Sequence, residues 1–105
     1  MSNLKVHILR LTPGQEVRSS LEEFVKSSVP NGAFVITCCG SIKSATLRLA
    51  SYPDGSTNKV IGGHVMGDLT VQTTMEVTLG EATSLMLSRE HDDATGYDEL
   101  VVNKV

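Results

Sequence analysis

From Leu69 to Leu79 the chain alternates without a break. Leu69, Val71, Thr73, Met75, Val77 and Leu79 share one side, and Thr70, Gln72, Thr74, Glu76 and Thr78 share the other. Successive side chains of a strand point to opposite faces, so this run predicts a long strand with one apolar and one polar face. An apolar sheet face has to be covered by a second layer. Residues 15–28 can supply it, because Val17, Leu21, Phe24 and Val25 recur at i, i+4, i+7 and i+8 and form one helical stripe. Glu16, Arg18, Glu22, Glu23 and Lys26 fill the opposite side, with Glu22 and Lys26 an i,i+4 pair in the favourable order. Val29-Pro30-Asn31-Gly32 ends the helix.

The other segments read as strands and turns. Residues 4–12 form a strand that Thr12-Pro13-Gly14 stops. Residues 33–40, AFVITCCG, are apolar enough for a strand buried on both faces. Gly40-Ser41 is expected to break it before a second strand at 42–50, where Ile42, Ser44, Thr46 and Arg48 face one way and Ala45, Leu47 and Leu49 the other. Residues 52–56 make a turn by their Pro, Asp and Gly content, and residues 59–61 lead into Gly62-Gly63-His64. A last short strand at 84–88 precedes an acidic tail holding Glu90, Asp92, Asp93, Asp98 and Glu99, expected to be a solvated loop. The expected fold is α+β: a mostly antiparallel sheet of roughly six strands packed with one main helix (residues 15–28), in one domain spanning 1–105.

The formal net charge of −3, with nine Lys and Arg spread from Lys5 to Lys104, argues against a general affinity for phosphate backbones. No direct nucleic-acid contact is expected. Cys38 and Cys39 are adjacent, so on a strand they point apart and do not pair with each other. They read as small buried apolar side chains in a reducing compartment. The N-terminal MSNLKVHILRL has no long apolar segment followed by a small-residue cleavage site, and no stretch is long enough to span a bilayer. A cytoplasmic protein is the expectation, with a nuclear role only through partners.

Several segments, in order along nearly the whole chain, resemble the PPC (plants and prokaryotes conserved) domain family. They are Leu11-Thr12-Pro13-Gly14 with the following helix, Gly40-Ser41 followed by Ala45-Thr46-Leu47-Arg48, and Gly62-Gly63-His64. Glu76-Val77-Thr78-Leu79-Gly80 and the tail from Ser88-Arg89-Glu90 to Thr95-Gly96-Tyr97-Asp98-Glu99-Leu100 continue the series. The resemblance implies a PPC-like fold, assembly into a homotrimer, and protein partners. The AT-hook of plant members is not there, because no Arg-Gly-Arg-Pro core occurs. The chain also departs from the family. Between Arg48 and Gly62 the family carries a further pair of strands, with a Phe-Glu-Ile-Leu-type segment and then a His-x-His segment. Here Ser51 to Ile61 occupies that interval and holds neither. An internal deletion is therefore expected, leaving a domain without the family's central strands.

Candidate functional residues follow from the same reading. By the same resemblance, His64 matches the histidine that, with the His-x-His pair, holds a metal in some prokaryotic-type relatives. A zinc site needs about three protein ligands, and His64 supplies one unless copies meet around an axis. Zinc is thus the one cofactor weighed, against a reading of His64 as a residual histidine and of the chain as cofactor-free. Gly62 and Gly63 lack the remainder of a nucleotide fingerprint and read as a bulge or a close strand approach. Arg10, Arg48 and Glu76 are charges within strands. They form a polar network at a subunit interface, line a small anionic-ligand pocket, or face solvent. No catalytic residue is assigned: Ser41 lacks a nucleophile elbow and the cysteines lack a Cys-x-x-Cys pattern. The expected function is an oligomerisation or binding module. The alternatives are a metal- or small-ligand-binding protein of the prokaryotic stand-alone type, or a truncated isoform with impaired assembly.

Overall fold

The computed structural model describes residues 1–48 and 62–105. The expected turn at 52–56 and the lead-in at 59–61 lie outside these residues. Five strands and one helix follow in the order β1 (Leu4–Leu11), α1 (Val17–Ser28), β2 (Phe34–Arg48), β3 (His64–Ala82), β4 (Leu85–Asp92) and β5 (Tyr97–Lys104). They form two sheets in which every pair is antiparallel: β1-β3-β2, with β3 central, and β4-β5.

The alternation at 69–79 positions the core. Val71, Met75, Val77 and Leu79 of β3 are buried together with Leu11 of β1 and Val17 of α1. Leu9, Leu21, Phe24, Val25 and Leu69 are half-buried around them. The helical stripe therefore covers the apolar face of β3, as the two periodicities require. Thr73 departs from its row. It is exposed, and its amide and hydroxyl both bond the Ser41 hydroxyl across the strand pair.

The link into the helix is pinned to β3. Gly14 sits at φ +86, a left-handed turn position that glycine takes without steric cost. Its amide donates to the Val71 carbonyl (3.0 Å), and the Val71 amide donates to the Gln15 carbonyl (2.9 Å). Helix α1 then begins at Val17, the first residue of the apolar stripe and two residues after the expected start at residue 15, because Glu16 is the N-cap. The Glu16 carboxylate accepts from the amides of Ser19 (2.8 Å) and Arg18 (3.1 Å). Glu22 pairs with Arg18 (3.0 Å) on the preceding turn rather than with Lys26.

Partial desolvation acts to raise the Glu16 carboxyl, but the Ser19 and Arg18 hydrogen bonds outweigh it and hold it below its usual range. A cap bond made by the ionised form stabilises the native state above the unfolded pKa and is lost as pH falls through the lower folded value. Glu16→Ala is therefore expected to lower stability by about 0.5–1 kcal/mol at pH 7. Urea titrations should show the gap from wild type closing below about pH 4.

Three sequence expectations are corrected. The strands expected at 33–40 and 42–50 are not separated at Gly40-Ser41: β2 runs unbroken from Phe34 to Arg48, residues 49–50 lie outside the described residues, and the irregularity appears as register shifts between Gly40 and Ile42 and at four further points. Gly40 is needed there because a Cβ would lie 2.5 Å from the Thr74 carbonyl oxygen and 2.7 Å from the Met75 Cα. Nor is residues 33–40 a doubly buried strand. Among the described residues β2 is an outer strand of its sheet, and Phe34, Val35 and Ile36 are 44%, 55% and 47% exposed. Finally, the acidic tail is a hairpin, not a loop. Glu90 and Asp92 lie on β4, Asp98 and Glu99 on β5, and Glu90 stands opposite Glu99. The hairpin is tied back by the Leu87 amide, which donates to the Asn31 carbonyl (2.7 Å).

Candidate functional site

The strand registers place the sequence candidates at two separate locations. Arg10 and Glu76 are direct cross-strand partners on the face of the three-stranded sheet that points away from α1. Cys39 flanks Glu76 from the other side. Arg10 and Glu76 are both exposed, and they do not close an ion pair. The ion pairs among the described residues are those of His7 with Glu81, Arg18 with Glu22, and His91 with Asp93 and Asp98. The second location is the far end of β3, where Arg48 pairs in register with His64 just after Gly62 and Gly63. Twelve steps along β3 separate His64 from Glu76, roughly 40 Å of extended chain. The six candidates therefore do not form one pocket.

The Arg48 end gives His64 a cationic neighbour across the ladder. His64 is exposed, and its cross-strand neighbour is a guanidinium, which repels a cation. Among the described residues no group of three or more His, Cys, Asp or Glu converges on a common point. A Cβ on Gly62 would meet nothing within 4 Å among the described residues. A strand rather than a helix follows Gly62 and Gly63, which leaves no helix N-terminus to cradle a phosphate. The irregularity of β3 falls a few residues later, at Gly67 (φ +155) and Asp68 (φ +53), whose carbonyl accepts from the Ser44 hydroxyl (2.9 Å).

The Arg10–Glu76 location has a different character. On the same face Val6 opposes Gly80 and Gly80 opposes Phe34, while Ile8 opposes Thr78. The Phe34 ring lies against Gly80, where a Cβ would approach it to 2.5 Å, and the Ile36 Cδ1 lies beside it at 3.2 Å. Val6, Ile8, Phe34 and Ile36 are 48%, 76%, 44% and 47% exposed, and Leu4 extends the patch along β1. Isolated exposed apolar residues need no explanation, but these lie together on one face of the sheet. Arg10 and Glu76 place one positive and one negative charge at the border of this patch.

Other features were not picked out from the sequence. His7 Nε2 lies 2.8 Å from Glu81 Oε2, and the His7 ring meets Phe24 edge-on, with centroids 5.5 Å apart. This links β1, β3 and α1. The signal was available, because His7 shares the inward row of Leu9 and Leu11, and Glu81 shares that of Val77 and Leu79. An apolar groove of about 300 Å³ runs between α1 and β2, lined by Leu21, Val25, Ala33, Val35 and Leu79, with Glu22 and Lys26 as its polar members. Cys38 and Cys39 are both exposed, against the expectation of buried thiols, because β2 is covered on neither face. Although exposed, the Cys38 thiol is partly desolvated by its surroundings, and this together with the adjacent Cys39 raises it above its usual value.

The comparisons with known proteins agree with this fold. Residues 1–57 match the Plants and Prokaryotes Conserved (PCC) domain. The chain is similar to a hypothetical protein from Salmonella enterica of known structure, with 31% identity and a TM-score of 0.86, covering 99% of this chain and 96% of that one. The chain belongs to the PCC (PPC) domain family. Two curated relatives, each a bifunctional protein GlmU from a Synechococcus strain, are 32% and 30% identical to this PCC domain over 98% of its length. The domain spans about a fifth (21%) of each of these proteins. Both alignments run over 132 residues against a chain of 105, so at least 27 aligned positions have no counterpart in this PCC domain. Among the described residues, no helix is long and apolar enough to cross a membrane.

Proposed function

We propose that this PCC domain is an assembly module whose contact surface is the sheet face bearing Val6, Ile8, Phe34 and Ile36, and that its partners there are further copies of itself. The single observation behind this reading is the exposure of these four side chains around Gly80, on the side of the sheet opposite the helix. Arg10 and Glu76 beside the patch give the surface both signs of charge, which suits pairing between identical copies. The family resemblance favours three copies. The domain's occurrence within longer proteins, of which it forms about a fifth, also fits a module that works through association. No catalytic role is part of this reading.

Light scattering on the purified chain tests it. Wild type should run at three times the 11.3 kDa chain mass. Ile8→Asp puts a carboxylate at the most exposed member of the patch, so it should yield a folded monomer with an unchanged circular dichroism spectrum. A wild type that stays monomeric at 100 micromolar (roughly a hundredfold above the Kd of a modest interface) would refute the assembly reading. An Ile8→Asp variant that remains trimeric would move the contact to another face.

A further inference from the structure

The link between α1 and β2 carries the pair Asn31-Gly32. An asparagine followed by a glycine is chemically labile. The backbone nitrogen that follows an asparagine can attack its side-chain carbonyl, and glycine, having no Cβ, hinders that approach least. In the folded protein both residues are held. The Gly32 amide donates to the carbonyl of Val29 (2.9 Å), a residue with no exposed surface. The Asn31 carbonyl accepts from the Leu87 amide of β4 (2.7 Å). Gly32 sits at φ +103, and a Cβ there would lie 2.8 Å from the Leu87 Cβ, so β4 packs directly on the glycine. Ring closure consumes the Gly32 N–H and folds the Asn31 side chain over its own backbone. The first of these breaks the bond to Val29, and the second has no room while Leu87 is docked.

The clamp is supplied by a weakly anchored element. β4 and β5 form a sheet of two strands, separate from β1-β3-β2 among the described residues. Hydrogen bonds at its base join the Thr83 amide to the Asn3 carbonyl (3.1 Å) and the Ser84 amide to the Ser2 hydroxyl (2.9 Å), close to the N-terminus. A two-stranded hairpin is marginal by itself, so it opens locally more readily than the core does.

We infer that Asn31 is a self-modification site, and that docking of the β4-β5 hairpin controls its reaction. When the hairpin opens, the Gly32 nitrogen loses its proton to hydroxide and bonds to the Asn31 Cγ. The Cγ–Nδ2 bond breaks, and the side-chain amide leaves as ammonia after taking a proton from water. A water molecule then adds to either carbonyl of the cyclic imide, giving an aspartate or its β-linked isomer at position 31. The net change is hydrolysis, with no oxidation or reduction. In the β-linked product the main chain runs through the former side chain and is longer by one methylene. Gly32 is then displaced from both Val29 and Leu87, so the hairpin does not regain its docked position. This does not depend on self-assembly.

The test follows peptides of the full chain by mass spectrometry during incubation in mildly alkaline buffer, both folded and in guanidinium chloride. Asn31 should convert from amide to acid in both, at least about tenfold more slowly in the folded chain, with the β-linked isomer resolved by chromatography. The ratio of the two rates should match the open fraction that hydrogen exchange of the Gly32 amide reports. Leu87→Pro removes the amide that holds the Asn31 carbonyl and keeps a Cβ against Gly32. That amide bonds Asn31 rather than β5, so the β4-β5 ladder is retained. The variant should react about fivefold faster than wild type, the worth of one hydrogen bond, with an unchanged circular dichroism spectrum. Asn31→Gln, whose cyclisation needs a larger ring, should abolish the reaction. Equal rates in the folded and unfolded chains, or an unfolded chain that does not convert at Asn31, would overturn the inference. So would a folded Leu87→Pro chain reacting at the wild-type rate, or a rate ratio unlike the open fraction. Should Leu87→Pro not fold, that last comparison decides on the wild-type chain alone.

Discussion

Gly40→Val is expected to destabilise the protein by about 3 kcal/mol, a large part of the stability of a domain this small. The added side chain has to fit where even a Cβ would lie 2.5 Å from the Thr74 carbonyl oxygen and 2.7 Å from the Met75 Cα. Both obstacles are backbone of the central strand, which cannot move without disturbing Met75 in the core. Valine's preference for strands, at most about 1 kcal/mol, does not offset this. Gly80→Ala makes an informative contrast. Its nearest obstacle is the Phe34 ring at 2.5 Å, the end of a side chain that is 44% exposed and can swing away, so the cost should be about 1 kcal/mol. Gly62→Ala meets nothing within 4 Å and should stay within about 0.5 kcal/mol of wild type. Urea midpoints of the three variants give the ranking. A Gly40→Val protein with the wild-type midpoint would mean that β2 and β3 do not approach this closely in solution.

Val77→Asp should be the most damaging single substitution on β3. Val77 is fully buried (0% exposed) between α1 and the sheet, and no cation of the core cluster is available to pair with a carboxylate there. An unpaired buried charge costs several kcal/mol, about 4 or more, which leaves little folded protein at neutral pH. Thr73→Asp lies in the same alternating row but at an exposed position, so it should cost about 1 kcal/mol, chiefly through the lost bond to the Ser41 hydroxyl. Thermal melts at pH 7 should separate the pair clearly. Equal effects at the two positions would mean that the row is uniformly buried and that Thr73 does not turn out.

The Thr73 comparison shows where the legibility of the sequence ends. Period-two alternation at 69–79 and period-3.6 spacing at 17–25 are properties of single segments. Each states which side chains share a face, and together they define the helix-on-sheet core from Val17 through Leu79. The helix starts two residues after the expected residue 15 because the Glu16 carboxylate caps it, so that Val17, the first residue of the apolar stripe, is also the first residue of the helix. The turn at Gly14 was legible because Pro and Gly act locally.

Exposure was not legible in the same way. The run Phe34 to Gly40 is apolar enough for the middle of a sheet, but a strand's neighbours are fixed by pairing and not by its own composition. The order β1-β3-β2 puts this run at an edge, which exposes Cys38 and Cys39 and opens the groove beside α1. The hairpin of β4 and β5 was missed for a related reason: its acidic residues resemble a solvated loop until Glu90 and Glu99 are seen across one ladder. The scattering of the candidate charges was likewise a question of register. Arg10, Arg48 and Glu76 looked equivalent along the chain, yet pairing brings Arg10 to Glu76 and carries Arg48 to His64 at the other end of β3. By itself, the sequence determined which residues lie on a common face, because that follows from backbone periodicity. Only the tertiary structure decided which faces and edges are covered, because that depends on contacts between segments far apart in the chain.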